Sequence, residues 1–262
     1  MSMADVWQTT PVVPTIPLAE SLRLAASRSG RGLGQLIREL ASLARAPGRL
    51  QPQDYFYYRL FEPGFDAATQ RRFVGKRLEA PLHDLTCDND WWIVAHDKLV
   101  CYAVLQAAGL PVPRTRALYR NGAAFGTAEG LQSLPDRAAL AAALRGGLPY
   151  PLFGKPVRGI RSVGVLSIDG YDGATDQLQL AQGHAVAVNE VVDAVGAYAK
   201  DGYLLQDRIA QHPVIEAICG AAIATVRLIV LLTAEGRVIH RALWKLPTGS
   251  NVADNFWRNG NL

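Results

Sequence analysis

At Pro151 the chain changes texture, and that change limits the folds open to it. Before it, apolar residues recur mostly at helical spacing. After it come short apolar runs of strand length, separated by Gly-containing turns. Helices first, then strands mixed with helices, is the pattern of an α+β or α/β enzyme core. The 262 residues make one large domain or two modest ones. A composition 49% hydrophobic and 19% charged excludes a wholly disordered chain. The surplus of 27 Lys and Arg over 23 Asp and Glu is too small and too evenly spread to mark nucleic-acid binding.

The scattered Cys87, Cys101 and Cys219 suit a reducing compartment. The longest apolar run, 223–232, is interrupted by Arg227 and falls short of the roughly 20 residues a membrane span needs. No apolar signal region precedes the first helix, so the expected location is the cytoplasm.

The spacing predicts helices over 18–27 and 33–44, with Leu18, Leu22 and Leu24 on one face of the first. Leu33, Leu36, Ile37, Leu40 and Leu43 mark the face of the second. Asp97 is positioned to cap a helix over 98–108, which Gly109, Pro111 and Pro113 end. A strand over 115–119 and a helix over 136–145 follow. Strands are expected over 152–157, 163–168, 202–206, 225–232 and 237–245. Asn189 is the expected cap of a helix over 190–199, and His212-Pro213 begins a short helix to Cys219. The expected organisation is a helical N-terminal region (1–90), a first core segment (91–150), a lid subdomain (151–205) and a C-terminal lobe (206–262).

Gly30-Arg31-Gly32-Leu33-Gly34 follows a helix rather than a strand, so it reads as a helix break, not a dinucleotide loop. His83, Cys87, His96 and Cys101 fit no standard zinc spacing. The informative segment is Phe153-Gly154-Lys155-Pro156-Val157-Arg158-Gly159-Ile160-Arg161-Ser162-Val163-Gly164. A lysine inside an apolar strand is costly unless an opposite charge meets it. The loop after it carries arginines, a serine and glycines whose backbone N–H groups can approach an anion. Two readings fit: a phosphate cradle, or an edge lysine that bends to solvent before a plain turn. Lys98 opposes the helix macrodipole at its position, which a nearby anion would offset. The strand ending Gln206-Asp207-Arg208-Ile209 can offer backbone groups to a purine. Arg227 is the sole charge in an apolar strand, which points to a carboxylate or phosphate partner.

In this order the segments resemble the ATP-grasp superfamily, and most closely its sugar-transfer-associated group, related to alpha-L-glutamate-ligase-like proteins. The words that carry it are Asp97-Lys98-Leu99, Gly109-Leu110-Pro111-Val112-Pro113, Phe153-Gly154-Lys155-Pro156, Gln206-Asp207-Arg208-Ile209, Thr225-Val226-Arg227 and Asp254-Asn255-Phe256. The resemblance covers about residues 30–262 and implies an α+β fold in which two mixed or antiparallel sheet lobes sandwich ATP. It implies that Lys98 and Lys155 contact phosphates, and that 158–164, with Arg158, Gly159, Ser162 and Gly164, is a lid over them. Gln206, Asp207, Arg208 and Ile209 would form the hinge that holds adenine. Arg227 and Lys245 would serve the transferred phosphoryl group, and Asp254 with Asn255 would hold Mg²⁺. The implied reaction is ATP-dependent carboxylate–amine ligation through an acyl phosphate, with a carboxylate substrate and an amine or other nucleophilic acceptor. The group's name points to surface polysaccharide metabolism.

One departure stands out. The superfamily's late Glu-x-Asn word is missing, and Asp254 is the single acidic residue after Glu235. Two expectations follow: a C-terminal lobe that is incomplete in this sequence, or nucleotide binding without catalysis. On either, residues 1–262 alone are expected to bind nucleotide weakly and not to ligate.

Overall fold

The computed structural model describes residues 17–122, 130–160, 162–220, 222–247 and 252. Two compact units divide the chain, one spanning Val12–Trp92 and one that includes Ile93–Leu262. Each has its own apolar core.

The first unit is helical: α1 (Leu18–Ser29), α2 (Leu33–Arg45), α3 (Pro52–Tyr57), α4 (Ala67–Gln70) and α5 (Glu79–Thr86). Gly30 ends α1 in the left-handed conformation, φ 69°, and its N–H reaches Ala26 O. Ala25, Leu36, Leu43, Leu50, Tyr55, Leu60 and Phe61 form the core. Burying a side chain such as Leu36 contributes about 1.5–3 kcal/mol. Glu39 ties the helices by accepting from Arg31 and from the Tyr55 hydroxyl, each at 2.8 Å. The helix positions match the spacing, but the faces differ in part. Leu18, Leu24, Leu33 and Ile37 are exposed, while Ala25, a residue outside the predicted stripe, is fully buried. Ala25 joins the core with Leu36, and Leu22 packs against it, while Leu18 and Leu24 face outward.

In the second unit, α6 (Trp92–His96) and α7 (Lys98–Ala107) precede a seven-stranded mixed sheet. Its strands are β1 (Thr115–Tyr119), β2 (Gln132–Leu134), β3 (Leu152–Pro156), β4 (Leu166–Asp172), β5 (Gln177–Leu180), β6 (His184–Ala187) and β7 (Tyr203–Asp207). The spatial order is β2-β1-β7-β3-β4-β5-β6. Among the described residues only β1 and β2 pair in parallel. Strands from 91–150 and from 151–205 therefore share one sheet. On it pack α8 (Arg137–Ala142), which runs into a π turn over Ala143–Gly147, and α9 (Val188–Gly196). Leu140, Leu144, Leu152, Ile168, Leu178 and Val191 are central to this core. After β7 come α10 (Pro213–Cys219) and a separate ribbon of β8 (Thr225–Thr233) and β9 (Gly236–Lys245). No helix among the described residues is long and apolar enough to cross a membrane.

Two local expectations are corrected, and one element is added. The strand foreseen over 163–168 begins at Leu166, because Ser162 and Gly164 take φ of 56° and 73° and cannot extend. Asn189 does not cap its helix: α9 already starts at Val188, and the Asn189 amide oxygen accepts from Arg145 at 3.2 Å. The hairpin β5–β6 was not foreseen, although Gln177-Leu178-Gln179-Leu180 alternates with period two and Gly183, at φ 79°, turns the chain.

Candidate functional site

Lys155 lies on β3, in the middle of the sheet between β7 and β4. Its neighbour Gly154 is there for space. A Cβ at that position would come within 2.7 Å of the Tyr203 hydroxyl, which β7 places beneath it. The alternation of β3 buries Leu152, Gly154 and Pro156 and leaves Phe153 and Lys155 half-buried on the other face. The Lys155 ammonium donates to the Tyr102 hydroxyl and sits 5.1 Å from the centre of that ring. Burial lowers its pKa to about 8.

Lys98 reaches the same place from the first turn of α7. Asp97 caps this helix, its carboxylate accepting from Leu99 N at 3.0 Å and Val100 N at 3.3 Å. The Lys98 ammonium donates to Val157 O at 3.2 Å and Gly159 O at 3.1 Å. Its pKa is lowered, first by burial and then by the neighbouring Lys155 charge. Among the described residues neither lysine has a carboxylate within ion-pair distance.

Both lysines line a cavity of about 180 Å³ with Phe153, Gly159, Ser162 and Val163. Phe153 and Lys155 also border a second cavity of about 300 Å³, closed by Pro113, Gln206, Ile209 and Ile223. The first is smaller and carries two lysines, and the second is larger and mostly apolar. A polyphosphate fits the charge of the one, and a flat base fits the walls of the other.

The loop between β3 and β4 is pinned at both ends. Arg158 pairs with Asp97 at 3.2 Å, so the residue that caps α7 also holds the loop. At the far end the Tyr203 hydroxyl donates to Gly164 O at 2.9 Å. Gly164, at φ 73°, has no room for a side chain, since a Cβ would come within 2.4 Å of the Tyr198 hydroxyl. Arg161 lies outside the described residues.

The strand end 206–209 borders the larger cavity. Gln206 is buried and donates to Thr115 Oγ1 at 2.8 Å. Asp207 makes a two-point ion pair with Arg116, at 2.6 and 2.8 Å, so its carboxylate is engaged away from the lysines. Arg208 pairs with Asp169 and also donates to Ser167 at 3.2 Å. Ile209 is exposed.

Arg227 stands on an exposed ribbon, not in a buried strand. An isolated charge in an apolar run suggested burial, but β8 and β9 expose apolar residues along most of their length. The register pairs Thr225 with Lys245 and Arg227 with Leu243. Thr225 lines the larger cavity, and side chains two apart share a face, so Arg227 and Lys245 lie on the ribbon face that Thr225 begins. Asp254 and Asn255 lie outside the described residues, so no geometry bears on the metal they were expected to hold.

The sequence reading missed Tyr102, Phe153 and Arg116. Tyr102 stands one helical turn after Lys98, and that i, i+4 spacing was the available signal. The Arg116–Asp207 pair spans 91 residues and leaves no local trace.

No curated protein matches the chain. A family profile described as sugar-transfer associated ATP-grasp matches residues 85–262, which takes in α7, the whole seven-stranded sheet and both cavities. With two lysines facing the smaller cavity and an apolar cavity beside it, this chain belongs to the sugar-transfer associated ATP-grasp family and is an ATP-binding ATP-grasp protein.

Proposed function

We propose that the protein uses ATP to activate a carboxylate and passes the acyl group to an amine or related nucleophile, in surface polysaccharide metabolism. The observation that carries this is the pair Lys98 and Lys155, two half-buried cations on one cavity with no carboxylate partner among the described residues. An arrangement that keeps two positive charges close costs stability unless a polyanion meets them.

In this reading Lys155 and Lys98 hold the phosphates, and residues 158–164 cover them from the lid-bearing part, 151–205. The backbone of 206–209 holds the base against Phe153. A substrate carboxylate oxygen attacks the γ-phosphorus, the bond to the β,γ-bridging oxygen breaks, and ADP leaves. The amine lone pair then attacks the acyl carbon, phosphate departs, and the amine loses a proton. Arg227 and Lys245 stabilise charge on the transferred phosphoryl group. The protein's contribution to the first step is positioning and charge stabilisation. Asp254 and Asn255 would hold Mg²⁺, which would supply further neutralisation of the phosphates when bound.

The test is ADP formation from ATP with a panel of sugar acids and amino acids, with hydroxylamine added to trap the acyl phosphate as a hydroxamate. Carboxylate-dependent ADP and hydroxamate would support the ligase reading and would overturn the expectation that residues 1–262 alone do not ligate. ATP binding without either would leave a nucleotide-binding protein that does not ligate.

A further inference from the structure

The Lys155 ammonium does not hang free in its cavity. Its stem emerges from β3, and its head meets the Tyr102 hydroxyl of α7. The Gln206 side chain of β7 lies near Tyr102 and donates to Thr115 Oγ1 of β1 at 2.8 Å. The polar groups Thr115, Gln206, Tyr102 and Lys155 thus follow one another across three strands and a helix. Gln206 is 1% exposed, so the middle of this row is shielded from water. A lysine has a flexible four-carbon stem and no planar fork to orient it. Something else must fix where its charge sits, and in this cavity the fixed acceptor is a tyrosine rather than a carboxylate. A carboxylate there would neutralise the ammonium and compete with an anion; a hydroxyl holds it without cancelling it.

We propose that Tyr102 is a positioning residue of the phosphate site, holding the Lys155 ammonium toward the cavity through its hydroxyl and ring, next to the Gln206–Thr115 pair. This rests on the reading that Lys155 meets nucleotide phosphates. Among the described residues the titratable and charged groups around Lys155 are Lys98, Cys101 and Tyr102 on α7, together with Asp207 and Arg208 on the wall of the larger cavity that Lys155 also borders. The hydroxyl favours the charged form of the lysine, so its loss should lower the lysine pKa further.

The experiment is calorimetry on the full chain with Mg·ATP and with adenosine, using Tyr102→Phe, Lys155→Ala and the double variant, at several pH values. Tyr102→Phe should weaken Mg·ATP roughly 3- to 10-fold, the span of a typical hydrogen bond's net contribution, because Tyr102 acts on the phosphate only through Lys155. It should leave adenosine unchanged and add nothing further in the Lys155→Ala background. The pH at which Mg·ATP affinity begins to fall should also move down. Equal losses for adenosine and Mg·ATP, or an additive loss in the double variant, would mean that Tyr102 only supports the fold and would overturn the proposal. Unchanged Mg·ATP affinity in Tyr102→Phe, with a clear loss in Lys155→Ala, overturns the proposal alone. Unchanged affinity in Lys155→Ala overturns the underlying reading as well. If Tyr102→Phe does not fold, Thr115→Val removes the partner of Gln206 at the far end of the same row and should give the same pattern at smaller size; no ATP-selective loss there counts against the idea.

Discussion

Lys155 shows how one residue's surroundings set its chemistry. Its pKa is about 8 in the folded protein because burial penalises the ammonium, against 10.5 unperturbed. A lysine depressed in this way opposes folding fully below about pH 8. Between about 8 and 10.5 the folded state releases its proton before the unfolded state does, so stability rises with pH across that window. Nucleotide binding runs the other way. Phosphate prefers the ammonium, so Mg·ATP affinity should hold below about pH 8 and fall as pH rises past it. A profile flat from pH 7 to about 9.5 would disconnect Lys155 from the phosphates. Lys155→Ala should weaken Mg·ATP by about 1.5–3 kcal/mol, as expected for a charged contact, and calorimetry at neutral pH reads it directly. That a lysine stands on an apolar strand before a Gly, Arg and Ser loop was legible in the sequence, which left open whether it faces a cavity or bends to solvent; the structure places it on a cavity. What the lysine touches was not legible, because Tyr102 is 53 residues away.

Among the elements, those set by local chemistry were read closely and those set by distant pairing were not. Asp97 and Gly109 bounded α7 because a capping carboxylate and a left-handed glycine act within a turn of their own position. The bounds of β1 were legible for the same reason, since prolines stop what precedes it. The strand order placing β7 between β1 and β3 was not legible, because those contacts close loops of many tens of residues. Nor was the exposure of the β8–β9 ribbon, since an apolar run reads alike whether or not a second layer covers it. The loop after β3 carries a prediction at this scale. It is held at one end by Arg158–Asp97 and at the other by Tyr203 on Gly164 O, and Arg158, Gly159 and Ile160 are exposed. Trypsin should therefore cut after Arg158 or Arg161 in the free protein, and Mg·ATP should slow that cut by ordering the loop over the phosphates. Equal cutting rates with and without nucleotide would argue that the loop is no lid.

Across the whole molecule, each compact unit has its own core, and every residue placed around the two cavities comes from 93–262. A ligand that binds only the folded form stabilises what it touches by mass action, about 2.7 kcal/mol at a hundred times its dissociation constant. That stabilisation should be local. Hydrogen exchange in Mg·ATP should slow in α7, β3 and β7, whose residues line the cavities, since opening any of them would release the ligand. The amides of α1 and α2, packed in the other core, should exchange at unchanged rates. The two sets also calibrate each other, because a general solvent effect of nucleotide or Mg²⁺ would slow both. Protection confined to α1 and α2 would place the nucleotide in the helical unit. The lysine pair would then need another anion, and the assignment of Lys98 and Lys155 to ATP would fall.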